Sequence, residues 1–311
     1  MTSETTTFFA LGTVNSIEAF GGRKASAVRE AAERVFEING RMSAFLPDSD
    51  LFRIGRAAGE GFRRVHPDTF RLLQRAVEFG DLTEGAFDIT VRPLVDLWGI
   101  NRKGDFVPPE AGIREALKLV DYRSVRLDRG SQSCRLEKKG QAIDLGGIAK
   151  GFAADEVKRI LAENGVGSAL INLGGNIAAV GSRPDGNPWT VGIQNPLAPR
   201  GKSIGYLSVR DKTVVTSGCN ERFFIKNGVR YHHILDPRTG RPVQNSLLSV
   251  TAVCSCSADA DALTTALFIL GPAKSVPLIR KFGIEAVFIF KDLSAAMTSG
   301  LKGHITFEKE S

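Results

Sequence analysis

The sequence has few cysteines and no long apolar run. Its four cysteines are Cys134, Cys219, Cys254 and Cys256. Four cysteines in a chain of 311 residues do not form a disulfide scaffold. Cys254 and Cys256 have neither a second cysteine pair nor a nearby histidine to complete a zinc site. We therefore expect free thiols, most of them buried. Because no run of about 18 apolar residues occurs, we also expect no segment that spans a membrane.

The sequence also lacks a leader and a basic block. Its first eight residues contain no basic stretch followed by a long apolar segment, so they do not resemble a signal peptide or a lipoprotein leader. As written, the chain is expected in the cytoplasm; a periplasmic or membrane-anchored location is expected only if a leader was removed. The net charge of +7 suits an anionic substrate such as a dinucleotide. The dispersed lysines and arginines disfavour nucleic acid as a partner.

The pattern of short apolar runs predicts the fold class. From residue 125 onward, many short runs separated by tight turns indicate strands, and long helices are predicted over 147–164 and 257–282. Short strands with segregated helices are typical of an α+β fold with a mainly antiparallel sheet. Single strands are predicted over 8–20 and 142–145. No repeat or linker divides the chain, so residues 1–311 are interpreted as one domain.

The helix predicted to begin at Ser257 carries a candidate metal site. Asp261 and Thr265 lie four residues apart, one helical turn, so their side chains point the same way. A carboxylate and a hydroxyl are oxygen ligands of the kind that Mg²⁺ prefers. An aspartate early in a helix is also favoured by the helix dipole, so the pair alone does not decide between the two interpretations.

Two glycine pairs mark candidate ligand contacts. The segment from Asp144 to Asp155 is typical of a glycine turn that opens a helix, where backbone N–H groups and Lys150 can hold a pyrophosphate. It matches neither the Rossmann nor the Walker A motif, and a plain turn is the alternative. Gly174 and Gly175 likewise allow two interpretations. They can form a tight turn with no further role, or they can leave room for a flat ring.

Aromatic, carboxylate and histidine side chains complete the candidate set. His232 and His233 would face opposite sides of a strand, so one of them can act as a general base while the other is structural. Asp88 is a candidate carboxylate of the site, or it can cap a helix that starts near Thr90. Met42, Phe45 and Phe87 can pack on a flat heterocycle or on the core.

Taken in order, these segments resemble the ApbE family, the FAD:protein FMN transferases, and imply its T-fold-like architecture. The resemblance extends over residues 8–292. The segments that carry it are Met42-Ser-Ala-Phe45, Gly85-Ala-Phe-Asp88, Pro93-Leu-Val-Asp-Leu-Trp98, Asp144-Leu-Gly-Gly-Ile-Ala-Lys-Gly151, Gly174-Gly175, Thr216-Ser-Gly218, His233-Ile-Leu-Asp-Pro-Arg-Thr-Gly240 and Ala260-Asp-Ala-Leu263 with Thr265.

The resemblance implies both ligands and residue roles. Family members bind FAD and Mg²⁺, transfer FMN to a threonine or serine hydroxyl of an acceptor flavoprotein through a phosphoester bond, and release AMP. The implied metal ligands are Asp261, Thr265 and the carbonyl of Ala149. The residues implied to line the FAD site are Met42, Phe45, Ala86, Phe87, Asp88, Gly146, Lys150, Phe152, His233 and Ile234.

The implied base is His233, with Asp261 as the second candidate. Two alternative activities remain open: an FAD pyrophosphatase that gives FMN and AMP, and a flavin-binding carrier without catalysis. The pair Asp261 and Thr265 disfavours the carrier, which needs no metal at the scissile bond. The chain departs from the family pattern in lacking a leader and in carrying Cys219-Asn220 after Gly218, where the acceptor entrance is expected to differ.

Overall fold

The computed structural model describes residues 2–100 and 102–308. The helices are α1 (Lys24–Met42), α2 (Asp50–Arg56), α3 (Pro67–Leu82), α4 (Arg92–Trp98), α5 (Glu110–Leu117), α6 (Ala149–Glu163) and α7 (Ser257–Phe282). The strands are β1 (Ser3–Ala10), β2 (Thr13–Phe20), β3 (Arg63–Arg64), β4 (Val125–Asp128), β5 (Ser133–Leu136), β6 (Ser168–Leu173), β7 (Asn176–Val180), β8 (Trp189–Gln194), β9 (Ser203–Val209), β10 (Thr213–Gly218), β11 (Phe223–Lys226), β12 (Val229–His232), β13 (Leu235–Asp236), β14 (Arg241–Pro242), β15 (Leu247–Cys254), β16 (Glu285–Phe290), β17 (Ala295–Met297) and β18 (Ile305–Phe307). The termini of the predicted single domain, residues 1 and 311, lie outside the described residues.

An eight-stranded sheet in the order β1-β2-β6-β7-β10-β15-β16-β17 forms the centre of the fold, and its strand pairs are antiparallel. The smaller sheets are β18-β9-β8, β3-β5-β4, β11-β12 and β13-β14. The α+β class with a mainly antiparallel sheet is thus confirmed. The single strand predicted over 8–20 is wrong, because Leu11 and Gly12 adopt positive φ angles of 53° and 72° and turn the chain into a hairpin.

Helices α1, α6 and α7 pack together on the sheet. Helix α1 buries an apolar stripe at helical spacing, which includes Ala27, Ala31, Val35 and Ile38. Strand β15 is buried at every residue, because helix α7 covers it and neighbouring strands flank it. The helical layer therefore brings the start of α6 beside the start of α7.

Helix α7 is long and apolar enough to cross a membrane by length and composition, although the sequence predicted no such segment. In the protein, 56% of its most apolar window is buried, and the helix packs against β10 and β15. Core burial accounts for this apolar character, so the helix is weak evidence for a membrane span. Helix α7 is interrupted at Gly271, whose φ of 76° and ψ of 169° are not helical.

Two further expectations concern the segment 142–145 and the cysteines. The strand predicted over 142–145 is wrong: this segment joins no sheet, and Asp144 N donates instead to the carbonyl of Ile89 at 2.8 Å. The four cysteines are free as predicted, three buried and Cys256 exposed. Burial raises the pKa of the Cys134 thiol to about 12, so this thiol is protonated and unreactive near neutral pH.

Candidate active site at the junction of two helices

The N-terminal ends of α6 and α7 meet at Gly151. A Cβ atom at this position would meet the backbone carbonyl oxygen of Ser257 and would lie 2.6 Å from the Cα of Ala258. Only a glycine lets the two backbones approach this closely. The side chain of Asp155 accepts hydrogen bonds from the N–H groups of Ser257 and Ala258 at 3.0 and 2.9 Å. Helix α6 thus caps α7 and fixes its position.

This approach places the buried Asp261 side chain at the start of α6. Its Oδ2 accepts a hydrogen bond from Gly151 N at 3.0 Å, and its Oδ1 lies 3.5 Å from the Lys150 Nζ. The same ammonium group donates to the carbonyl oxygen of Gly146 at 3.0 Å. The structure therefore brings together one carboxylate, one lysine and the glycine turn, which are the candidates Asp261, Lys150 and Gly146.

Thr265 lies at the same place, one turn further along α7. A Cβ atom on Gly147 would lie 3.5 Å from the Thr265 Oγ1, so this hydroxyl faces the glycine turn. The preceding Thr264 instead points to β10: its Oγ1 donates to the Asp261 carbonyl oxygen at 3.0 Å and accepts from Ser217 Oγ at 2.9 Å. The two threonines thus hold different positions, and only Thr265 borders the turn.

A carboxylate and a hydroxyl, which are oxygen ligands of the kind that a hard divalent cation prefers, both border this glycine turn. Asp261 Oδ1 has the Lys150 ammonium as its neighbour, so a positive charge already lies against this carboxylate. The Thr265 hydroxyl is directed to the same turn, and Ala149 is the first residue of α6. No group of three or more His, Cys, Asp or Glu side chains in the described ranges suits a metal. The implied ligand set of one carboxylate, one hydroxyl and one carbonyl is of a different kind.

The two adjacent histidines face different environments, as predicted. His232 is buried: its Nε2 lies 2.8 Å from the carbonyl oxygen of Val243, and its Nδ1 accepts from Ile234 N at 3.3 Å. His233 reaches solvent, yet protein surrounds it closely enough that lost hydration lowers its pKa to about 4, and the charges of Arg222 and Lys150 add to this decrease. His233 is therefore neutral near pH 7 and close to Lys150.

His232 is expected to make the protein acid-sensitive. Burial lowers its pKa to about 4 from the ordinary value of 6.5, so the unfolded chain binds this proton more readily than the folded protein. The free energy of unfolding should fall as pH drops from about 6.5 to 4, by about 3 kcal/mol from this residue. Urea unfolding of wild type and His232→Gln across this range tests the effect. Glutamine keeps a donor for Val243, and an equally steep decrease in the variant would contradict the assignment.

Several residues implied to line the FAD site are largely buried. The Asp88 carboxylate accepts from Thr90 N at 2.7 Å and from Tyr122 N at 3.0 Å, so it caps a short 3-10 helix, the alternative raised by the sequence. Burial raises the pKa of this carboxyl. Phe87 borders the glycine turn, because its ring would lie 3.1 Å from a Cβ on Gly147. The others that lie in the core are Met42, Ala86 and Ile234. Their contact with FAD stays a prediction.

The two remaining aromatic candidates are more accessible. Phe45 is 62% exposed, and the guanidinium of Arg92 lies 4.2 Å from its ring centre. Phe152 is half-buried, and the Arg71 guanidinium lies 5.6 Å from its ring centre. Gly174 and Gly175 form the tight turn of the β6–β7 hairpin, with φ angles of 61° and 93°. The pair therefore forms a tight turn, and its contact with a flat ring stays a prediction.

Three residues next to the site were not among the candidates predicted from the sequence: Arg92, Asp144 and Asp155. Asp155 caps α7 because Cys256, at the N-cap position, makes no capping hydrogen bond with its side chain. A helix start without Ser, Thr, Asp or Asn is a visible signal that another segment supplies the cap. That the cap comes from α6 depends on contacts between distant positions.

Comparison with known proteins agrees with this geometry. The sequence profile of the ApbE family matches residues 11–288. The FAD:protein FMN transferase of Treponema pallidum is 38% identical over 309 residues, which is 94% of this chain and 85% of that protein. The enzyme of the same name from Klebsiella pneumoniae is 39% identical over 273 residues, 86% of this chain and 84% of that protein.

Solved structures give the same result. The ApbE protein from Thermotoga maritima has a TM-score of 0.89 at 32% identity, covering 99% of this chain and 100% of that chain. The flavin transferase ApbE from Vibrio cholerae has a TM-score of 0.86 at 27% identity, covering 97% and 100%. The family profile alone matches most of the chain, which therefore belongs to the ApbE family.

Proposed function

We propose that this protein is an FAD:protein FMN transferase that moves FMN from FAD to a threonine or serine hydroxyl of an acceptor flavoprotein. The bond formed joins the acceptor oxygen to the FMN phosphorus, and the bond broken releases AMP. Relatives of that name at 38% and 39% identity support the activity. The observation that carries the proposal is the convergence of Asp261, Thr265 and Lys150 on one glycine turn.

The proposed metal is Mg²⁺, held by Asp261, Thr265 and the Ala149 carbonyl. When bound, it would neutralise charge that develops on the pyrophosphate oxygens. Lys150 and the N-terminus of α6 supply further positive charge on the same side. These charges would bind the pyrophosphate and stabilise the negative charge that develops as the bond to AMP breaks.

His233 is proposed as the group that accepts the proton from the acceptor hydroxyl. It is neutral near pH 7, because its pKa is lowered to about 4, and it is exposed, so an acceptor segment can reach it. A neutral imidazole nitrogen can take the proton as the oxygen attacks phosphorus. Because the positive charge of Lys150 is close, the protonated form of the His233 ring is unfavourable. The ring therefore releases the proton to water.

Incubation with FAD and Mg²⁺ tests the proposal. AMP together with a flavinylated flavoprotein subunit, detected by mass spectrometry, supports the transferase; loss of both products with EDTA supports the metal. AMP with free FMN in the presence of an acceptor would instead indicate a pyrophosphatase. Unchanged FAD would indicate a carrier.

Replacing His233 by asparagine should lower the rate of FMN transfer about a hundredfold, because the acceptor hydroxyl loses its proton acceptor. The Kd for FAD should change far less. In wild type, kcat/KM should be nearly constant from about pH 5.5 to 8, since a base with a pKa of about 4 is already neutral there. A decrease in kcat/KM below about pH 6.5 that the variant lacks would show a histidine of ordinary pKa instead.

A further inference from the structure

Arg92 carries a buried charge that is only partly paired. Its side chain, in the first turn of α4, is 8% exposed, and its Nε donates to Asp96 Oδ2 at 2.7 Å. Its Nη1 is buried without a hydrogen-bond partner and lies 3.9 Å from Asp144 Oδ2, too far for a hydrogen bond. A buried donor left unsatisfied costs about 1–3 kcal/mol. A ligand that supplied an acceptor for Nη1 would remove this cost.

Arg92 and Asp144 lie between two residues that the proposed function assigns to FAD. The guanidinium of Arg92 covers one face of the exposed Phe45 ring at 4.2 Å. The Oδ1 of Asp144 accepts from Gly146 N at 2.7 Å, which joins the carboxylate to the glycine turn. Arg92 and Asp144 therefore form part of the surface between the exposed Phe45 ring and the glycine turn.

The chemistry of the pair distinguishes between the parts of FAD. A phosphate offers only acceptors, and the Asp144 carboxylate would repel it. The pyrimidine edge of the isoalloxazine ring has an N3–H donor between two carbonyl acceptors, which matches one guanidinium donor beside one carboxylate acceptor. Phe45 adds a flat apolar surface suited to an aromatic ring. The phosphates already have Lys150 and the start of α6.

We propose that Arg92 and Asp144 bind the pyrimidine edge of the FAD isoalloxazine. The Arg92 Nη1 donates to a ring carbonyl oxygen, and the Asp144 Oδ2 accepts from N3–H. Phe45 covers the guanidinium and moves aside to admit the ring; because the phenyl ring is 62% exposed, little packing opposes this motion. The inference rests on the proposed function, because it specifies the orientation of the same substrate.

FAD labelled at both ring carbonyl carbons and at N3 tests the proposal by NMR, at saturating ligand without Mg²⁺. Arg92→Met removes the donor and keeps an unbranched apolar stem over Phe45. Asp144→Asn keeps one oxygen for Gly146 N and replaces the other by a donor. We expect Arg92→Met to shift a carbonyl carbon, Asp144→Asn to shift N3, and each variant to raise the Kd for FAD about tenfold. The phosphorus resonances of bound FAD should not move, which also shows that the site remains folded.

Arg102→Met is the matched control. Its guanidinium also lies near the Phe45 ring, at 5.8 Å, but it is solvent-exposed and pairs with Asp96. We expect the ring resonances and the Kd to stay as in wild type. A phosphorus shift without a ring shift in Arg92→Met would place the guanidinium on the pyrophosphate and overturn the proposal, as would unchanged spectra in both variants. A wild-type protein that does not bind FAD would contradict the proposed function itself.

Discussion

Replacing Asp261 by asparagine is expected to lower the rate of FMN transfer at least about a thousandfold while the fold persists. The Asp261 carboxylate is the only charged group in the proposed Mg²⁺ ligand set, and a neutral amide would hold a hard cation far more weakly. Asparagine retains an oxygen that can accept the hydrogen bond from Gly151 N, now 3.0 Å from Oδ2. Release of AMP from FAD, together with the temperature of unfolding, measures both effects.

Asparagine is a sharper test than alanine at this position. Asp261→Ala would leave the Gly151 N–H without its acceptor in a buried junction, at a cost of about 1–3 kcal/mol. The matched control is Asp259→Asn, two residues earlier in α7, whose carboxylate binds the Arg75 guanidinium at 2.9 and 2.6 Å. We expect this control to lose stability but keep its activity. Persistent AMP release by Asp261→Asn would show that the metal assignment is wrong.

The second large effect is expected from Gly151→Ala. The added methyl group would meet the backbone of Ser257 and lie 2.6 Å from the Cα of Ala258, so α6 and α7 must separate. Overpacking of this kind costs about 3 kcal/mol, and a displacement of about 1 Å at a catalytic group can lower activity about a hundredfold. The temperature of unfolding, measured by differential scanning calorimetry, and the rate of FMN transfer should therefore both decrease.

Gly40→Ala provides the control for Gly151→Ala. Gly40 lies within α1, and a Cβ atom there would have no neighbouring atom within 4 Å. The same change in chemistry should stabilise the helix by about 0.5–1 kcal/mol and leave transfer unchanged. If Gly151→Ala behaved like Gly40→Ala, the close approach of α6 and α7 would not be needed for the site.

Much of the site followed from local sequence patterns. The spacing of Asp261 and Thr265 placed both on one helix, and the glycine turn before α6 was visible in the segment that ends in Gly151. The two-residue period of a strand separated His232 from His233, although β12 ends at His232. Each pattern depends on the geometry of one helix or strand, which neighbouring residues determine. The order of these motifs was sufficient to identify the ApbE family.

Contacts between distant segments could not be predicted from local sequence patterns. The Asp155 side chain caps a helix that begins about a hundred positions later, and Asp144 N bonds to Ile89 instead of to a strand. The partly paired Arg92 became visible only when Phe45 and Asp144 were placed beside it. The secondary-structure preferences of neighbouring residues do not predict such pairs, because the free energy of each pair comes from groups that meet only after the chain has folded.

The sequence by itself determined the family, the α+β class and the residue types that suit magnesium and a pyrophosphate. It did not determine which atoms are available to them. That depended on tertiary packing: Gly151 lets two helices approach until Asp261 lies beside Lys150, and the same packing buries Asp88 as a cap and leaves His233 open to solvent. Periodicity fixes the direction of a side chain within its own element, whereas burial and partners are set by the elements packed against it.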